Sequence, residues 1–247
     1  DIRLKTLKDR KLAVFAAVQY RPGLVNRPEV DLERNAGITV RVDARPLASG
    51  SSADAAPSVR AVRVDLAVFV PPETVVTLET HDGDIHVKGP RSGLVARSRG
   101  GDVEVVSPQW VDLSSEQGDI AVRFTSTQWT RPATLSNKTG NVAVRFPCPA
   151  NARVHGVTRG DIVTDFSAKV DRPADSPTKR VEARVSEDSK GRKRGRLARL
   201  WQRIAHPMTP VGRLNIVSEL GAIRLQRAYP RWKGHSEIHE YDAALGP

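Results

Sequence analysis

Val76-Thr-Leu-Glu-Thr80-His-Asp-Gly-Asp84-Ile-His-Val-Lys88 is a run of alternating apolar and polar residues, a polar turn centred on Gly83, and a second alternating run. The same phrase recurs downstream. Its turns read Arg99-Gly100-Gly101-Asp102, Glu116-Gln117-Gly118-Asp119, Lys138-Thr139-Gly140-Asn141 and Thr158-Arg159-Gly160-Asp161. The turn glycines Gly83, Gly101, Gly118, Gly140 and Gly160 are 18, 17, 22 and 20 residues apart. Self-similarity at this period marks a stacked repeat architecture.

Counting from each glycine gives a common frame. Positions −7 and −5 are Val76/Leu78, Leu94/Ala96, Val111/Leu113 and Ala133/Leu135. Positions +2 and +4 are Ile85/Val87, Val103/Val105, Ile120/Val122 and Val142/Val144. Residues two apart share one face of a strand, so each phrase offers four apolar side chains to one side. One such coil cannot bury that side alone, whereas a stack buries a continuous core. Gly is expected to supply positive φ at the turn, and the following Asp84, Asp102, Asp119, Asn141 or Asp161 to cap its own turn backbone. The fifth phrase shows a local slip around Val154 and Val157. Two outlying copies extend the frame: Leu214, Ile216, Gly221, Ile223 and Leu225, and, with one residue deleted, Val30, Leu32, Gly37, Ile38 and Val40.

The fold expected is a mostly-β, single-stranded β-solenoid: a β-helix-like stack of about six or seven short coils with one basic helical insertion. The solenoid spans 28–227, with a small-residue loop at 44–58 and the basic insertion at 168–210. Residues 1–27 are an N-terminal extension and 228–247 a C-terminal tail. Within the extension, 11–20 reads as a short helix or an added strand. Val62, Val64, Leu66, Val68 and Val70 alternate strictly and read as a strand. A further strand is expected at 181–185. Leu197, Leu200, Trp201 and Ile204 follow helical spacing, with Arg196, Arg199 and Arg203 mostly on the other side.

Composition narrows the function classes. Aromatic residues make up 5% of the 247, and Val, Ile and Leu dominate, which suits a thin solenoid core better than an enzyme pocket. With a single cysteine, Cys148, no intrachain disulfide and no cysteine metal cluster can form. The sequence begins at Asp1 rather than Met, as a chain would after loss of a leading segment. The formal net charge is +11, and the window from Lys179 to Arg203 alone carries ten Lys or Arg against three acids. Such a concentration draws anionic lipid, an acidic partner or nucleic acid.

Residues 62–166 resemble the bacterial putative-adhesin family, the auto-transporter-adhesin head-like β-solenoids. The resemblance rests on Val62-Arg-Val-Asp-Leu-Ala-Val-Phe-Val-Pro71, on the phrase quoted first, and on the later Gly-Asp-Ile/Val phrases. It implies an extracytoplasmic, non-enzymatic protein, often membrane-associated, and it brings no catalytic residues. The basic insertion departs from that family.

Candidate chemistry is sparse. The turn carboxylates supply one ligand per coil, whereas calcium takes six to eight oxygens. His235-Ser-Glu-Ile-His239 lacks the Glu that a zinc metalloprotease phrase places directly after its first His. Cys148, between two prolines, reads as a structural thiol. Outward positions show no carboxylate cluster of the kind a β-helix polysaccharide-active enzyme needs, and no nucleic-acid reader motif is present. No cofactor, metal or small-molecule substrate is expected.

The expected function is therefore a non-catalytic scaffold outside the cytoplasm, periplasmic or at the cell surface and peripheral to a membrane. In one form it is an extrinsic structural subunit that docks on and stabilises a larger membrane assembly, for example a respiratory or photosynthetic one. In another it is an adhesin-like surface protein. The expected contact with a membrane complex or anionic membrane surface comprises Arg192, Lys193, Arg194, Arg196, Leu197, Arg199, Leu200, Trp201, Arg203 and Ile204. There, basic charge adjoins an apolar helical face; the alternative reading of the same segment is a helix that caps the open end of the solenoid, apolar face inward and arginines in water.

Overall fold

The structure, a computed structural model, describes residues 1–6, 12–20, 29–34, 38–43, 62–71, 73–173, 176–185 and 211–228. In chain order the strands begin with β1 (Ile2–Thr6), β2 (Ala13–Tyr20), β3 (Glu29–Arg34), β4 (Ile38–Asp43) and β5 (Val62–Val70). The repeats supply β6 (Val76–Thr80), β7 (Ile85–Lys88), β8 (Leu94–Ser98), β9 (Val103–Ser107), β10 (Val111–Ser115), β11 (Ile120–Phe124), β12 (Ala133–Asn137) and β13 (Val142–Phe146). They are followed by β14 (Ala152–Thr158), β15 (Ile162–Thr164), β16 (Ala168–Asp171), β17 (Lys179–Val185), β18 (Gly212–Ser218) and β19 (Ile223–Arg227). Among the described residues there is no helix. The helical reading of 196–206 lies outside them.

Each coil gives one strand to each of two facing sheets. The eight-stranded sheet runs β16-β17-β14-β18-β12-β10-β8-β6, and the nine-stranded sheet runs β15-β19-β13-β11-β9-β7-β1-β5-β2. Pairing between coils is parallel and in register: Val76 lies beside Leu94, Leu94 beside Val111, Ile85 beside Val103 and Val103 beside Ile120. The apolar positions of the frame point inward, and Leu94, Val103, Val111, Leu113, Leu135, Val142 and Val144 are completely buried. Parallel strands are stable only when covered, and here the opposite sheet covers them.

The stacking order departs from the order in the chain. β18 pairs with both β12 and β14, and β19 with both β13 and β15. The coil that comes last in sequence therefore sits between the fourth and fifth phrases. The link 147–151 must then rise two strand spacings while crossing between sheets. That path is ~14 Å for spacings of ~4.8 and ~10 Å, and five residues reach up to ~17 Å.

The two ends of the stack differ. At one end β1 enters the nine-stranded sheet between β7 and β5, with Ile2 beside Ile85 and Leu4 beside Val87. Of the stretch 11–20, Ala13–Tyr20 is a strand, β2, antiparallel to β5. At the other end β17 and β16 form an antiparallel pair on β14, burying Val181, Ala183 and Val185. The first portion of the basic insertion is thus a β cap. The partial copy at Val30–Val40 is not a coil: β3 and β4 form a separate antiparallel pair, with Val30 opposite Val42 and Leu32 opposite Val40. In the fifth phrase the slip is real. Ala152, Val154, Gly156 and Thr158 point inward, which sends His155 out.

Variable glycine spacing has a simple cause. Insertions fall in the corner opposite the glycines, at 89–93, 108–110 and 125–132. The longest of these lies inside the 22-residue interval. That corner is filled by Phe124, Phe146, Phe166, Trp110 and Trp129. Phe124 and Trp129 have ring centroids 4.3 Å apart, and Phe146 and Phe166 5.7 Å. Arg131 lies 5.3 Å over the Trp110 ring.

Candidate binding faces

The turn glycines form one straight column, but not for the reason expected. None has positive φ; among the described residues positive φ falls at Gly89 and Gly93, in the opposite corner. What the column requires is closeness. A Cβ on Gly101 would strike the carbonyl of Gly83. The same holds for Gly118 against Gly101, Gly140 against Gly118, Gly221 against Gly140, and Gly160 against Gly221. The turns lie flat on one another, and any side chain would force adjacent coils apart.

The carboxylates after the glycines are also employed differently. Asp84 Oδ1 accepts from the backbone N–H of Asp102 (3.0 Å), Asp102 from Asp119 (2.8 Å), Asp119 from Asn141 (2.7 Å), and Asn141 from Ala222 (3.0 Å). Each ties its coil to the next rather than capping its own turn. Ala222 cannot continue the chain of acceptors; on the last coil of the stack the Asp161 carboxylate accepts from Lys179 Nζ at 2.9 Å. That hydrogen bond, and then the charge of Lys179, hold the Asp161 carboxyl below its ordinary value. The folded value is depressed, so this small contribution is complete above the unfolded pKa and fades as pH falls through the folded one. Replacing Lys179 with Gln should raise the Asp161 titration midpoint in carboxyl 13C NMR; an unmoved midpoint would show that the contact is not kept in solution.

A second column was not anticipated from the sequence. Ser98, Ser115, Asn137 and Ser218, all three residues before a turn glycine, are buried, as is Thr158. Asn137 Nδ2 donates to Gly118 O at 2.6 Å, and Asn137 Oδ1 accepts from Gly140 N at 2.7 Å. Ser115 and Thr158 bridge in the same manner. The signal was present as a hydroxyl or amide at −3 in every regular phrase. Asn137→Leu should cost about 2–3 kcal/mol, because a buried carbonyl and a buried N–H would both lose partners. Urea unfolding would measure it, and a cost under about 0.5 kcal/mol would mean water replaces the side chain.

Register also sorts the outward side chains into rows. On the eight-stranded sheet one row reads Thr77, Val95, Asp112, Thr134, Asn215, His155 and Glu182. On this face Arg97 lies 3.6 Å from Glu79 and His155 3.8 Å from Glu182, while Arg153 stands between Arg184 and Arg213 without an ion pair among the described residues. On the nine-stranded sheet the rows are Arg3, His86, Glu104, Ala121, Ala143, Arg224 and Lys5, Lys88, Val106, Arg123, Arg145, Gln226. His86 meets Glu104 at 3.3 Å.

The sequence-predicted contact residues Arg192, Lys193, Arg194, Arg196, Leu197, Arg199, Leu200, Trp201, Arg203 and Ile204 lie outside the described residues, as do His235 and His239. Cys148 is exposed in a corner link, so it does not serve the core as a structural thiol would. Among the described residues no three of His, Cys, Asp and Glu gather as metal ligands. No helix among them is long and apolar enough to cross a membrane.

These features define a class: a two-sheet, mainly parallel β-solenoid whose side chains stand in ordered rows on two flat outer faces. No protein-family model matches the chain, and no curated protein matches it. A crystal structure of a putative cell adhesion protein from Clostridium sporogenes ATCC 15579 is similar, with a TM-score of 0.47 and 10% identity over 92% of this chain and 87% of that one.

Proposed function

We propose that this protein is a non-catalytic, adhesin-like binding protein of the cell exterior that holds an extended partner along a solenoid face. One observation carries the reading: in-register coils set outward side chains in straight rows, with a new contact about every 4.8 Å along the stack. Such a repeated surface suits a partner that is itself long and repetitive. Beads coated with the full chain should be retained on intact cells or cell-envelope material. Changing outward residues of one face should abolish retention without altering the unfolding midpoint. If beads are retained on no surface, or if neither face matters, the reading is wrong. Docking on a membrane assembly is the competing proposal, and it rests on the basic window 179–203. A variant with Gln at 192, 193, 194, 196 and 199 separates the two: loss of retention there, with both faces dispensable, would favour docking.

A further inference from the structure

Neighbouring strands of the nine-stranded sheet place Lys5 beside Lys88 and Arg123 beside Arg145. Like charges directly across strands are destabilising. Arg3 and Arg224 flank this row, and all six cations are exposed. Across the outward positions of β1, β7, β9, β11, β13 and β19, Glu104 is the one carboxylate, and it lies against His86. None of the six cations has an ion-pair partner among the described residues; on the opposite face Arg97 and His155 are paired, and like charges meet across strands only at one end of the stack, where Arg153 lies between Arg184 and Arg213. The Arg145 guanidinium is steadied by Gln226, with Nε donating to Oε1 at 3.3 Å. At the end of the row, Phe69 lies beside Lys5 and forms an edge-to-face pair with Phe15 at 6.0 Å. Phe15 is 64% exposed over a shallow depression bordered by Arg3, Ala67, Asp1 and Asp65.

We propose that this face binds a linear acidic polysaccharide laid along the solenoid axis. Its carboxylates or sulfates meet the row Lys5, Lys88, Arg123 and Arg145, and one sugar ring rests on Phe15. The inference rests on the binding-protein reading and names its ligand. An extended pyranose chain advances by about one strand spacing per ring, so successive acidic groups can meet successive strands at ~4.8 Å. The anions would relieve the repulsion that the sheet tolerates, and this is where violation of a local rule points to function. A single-stranded nucleic acid would want an aromatic platform along its track, whereas the aromatics here stand only at one end. A lipid surface would want an apolar face beside the charge, and the positions between the cations are the small Ala121 and Ala143 and the single Val106.

The test uses the full chain against immobilised polygalacturonate, dextran sulfate, neutral dextran, phosphatidylserine vesicles and oligo(dT). The two acidic polysaccharides should bind, neutral dextran should not, and a preference between the two tells carboxylate from sulfate. At about 0.15 M salt, K5Q/K88Q/R123Q/R145Q should weaken binding roughly a hundredfold and flatten its salt dependence. R97Q/R153Q/R184Q/R213Q removes the same charge from the other face and should stay within about threefold, since contacts outside the site change affinity little. F15A should weaken polygalacturonate binding about tenfold, a loss of ~1.4 kcal/mol. Unfolding midpoints confirm that each variant folds. Equal losses in the two quadruple variants, no binding to either acidic polysaccharide, or tighter binding to vesicles or oligo(dT) would overturn the inference. If acidic polysaccharide fails while cell-surface retention persists, only this inference falls; if both fail, the binding-protein reading falls with it.

Discussion

Gly221→Ala is expected to destabilise the protein by about 3 kcal/mol or more, beyond the usual range for one added methyl. The added Cβ would meet the Gly140 carbonyl carbon and oxygen and the Asn141 nitrogen, all backbone atoms. Backbone cannot rotate away as a side-chain tip can. Relief requires separating the coils, which would stretch the bonds Ala222 N to Asn141 Oδ1 and Val142 N to Ala222 O, now 3.0 and 2.8 Å. Gly118→Ala and Gly140→Ala should behave alike. Gly83→Ala is the internal control. Gly83 ends the column, and its Cβ would meet only Thr80 Oγ1 at 3.1 Å and atoms of Asp1 at 3.5 Å or beyond, so its cost should stay under about 1 kcal/mol. Urea unfolding of the set separates close approach from turn conformation. A uniform cost across all four positions would mean that turn conformation, not stacking, demands glycine.

Ending the chain at residue 210 should have a larger effect, out of proportion to the coil removed. In a solenoid stacked in chain order, removing the last coil leaves the others intact. Here β14 is held by β18 on one side and by β17 on the other, and β17 pairs with the stack only through β14. Without β18 and β19, the segment 152–185 loses its connection to β12 and β13 except through the link 147–151. Hydrogen exchange should show amides of 152–158 strongly protected in the full chain and exchanging freely in the shortened one, while 94–124 stay protected. Persistent protection of 152–158 would mean that β14 can close directly onto β12.

The repeat frame was legible because it rests on two short-range rules: alternation within a strand and glycine at a turn. They located β6 to β13, β18 and β19 and nearly every inward side chain, and the slip at Val154 was visible too. Stacking order was not legible. Every coil carries the same frame, so Gly221 fits above Gly140 or above Gly160 equally well by pattern, and only pairing decides. The glycine rationale was misread because a turn glycine has two uses, positive φ and absent bulk, which sequence does not separate. β1 was missed because Ile2 and Leu4 offer only one alternation without a turn glycine. The cationic row was missed because Lys5, Lys88, Arg123 and Arg145 are unremarkable singly and become a row only when register joins them.

Intercalation of the last coil is the central structural claim, and disulfide trapping tests it most directly in a Cys148→Ser background. Thr134 and Asn215 are register partners on adjacent strands, and so are Asn215 and His155. Adjacent strands are ~4.8 Å apart, within disulfide reach, whereas Thr134 and His155, two strands apart at ~10 Å, are beyond it. Under mild oxidation, T134C/N215C and H155C/N215C should cross-link rapidly and T134C/H155C should not. Rapid cross-linking of T134C/H155C, with T134C/N215C left reduced, would contradict the intercalated stack.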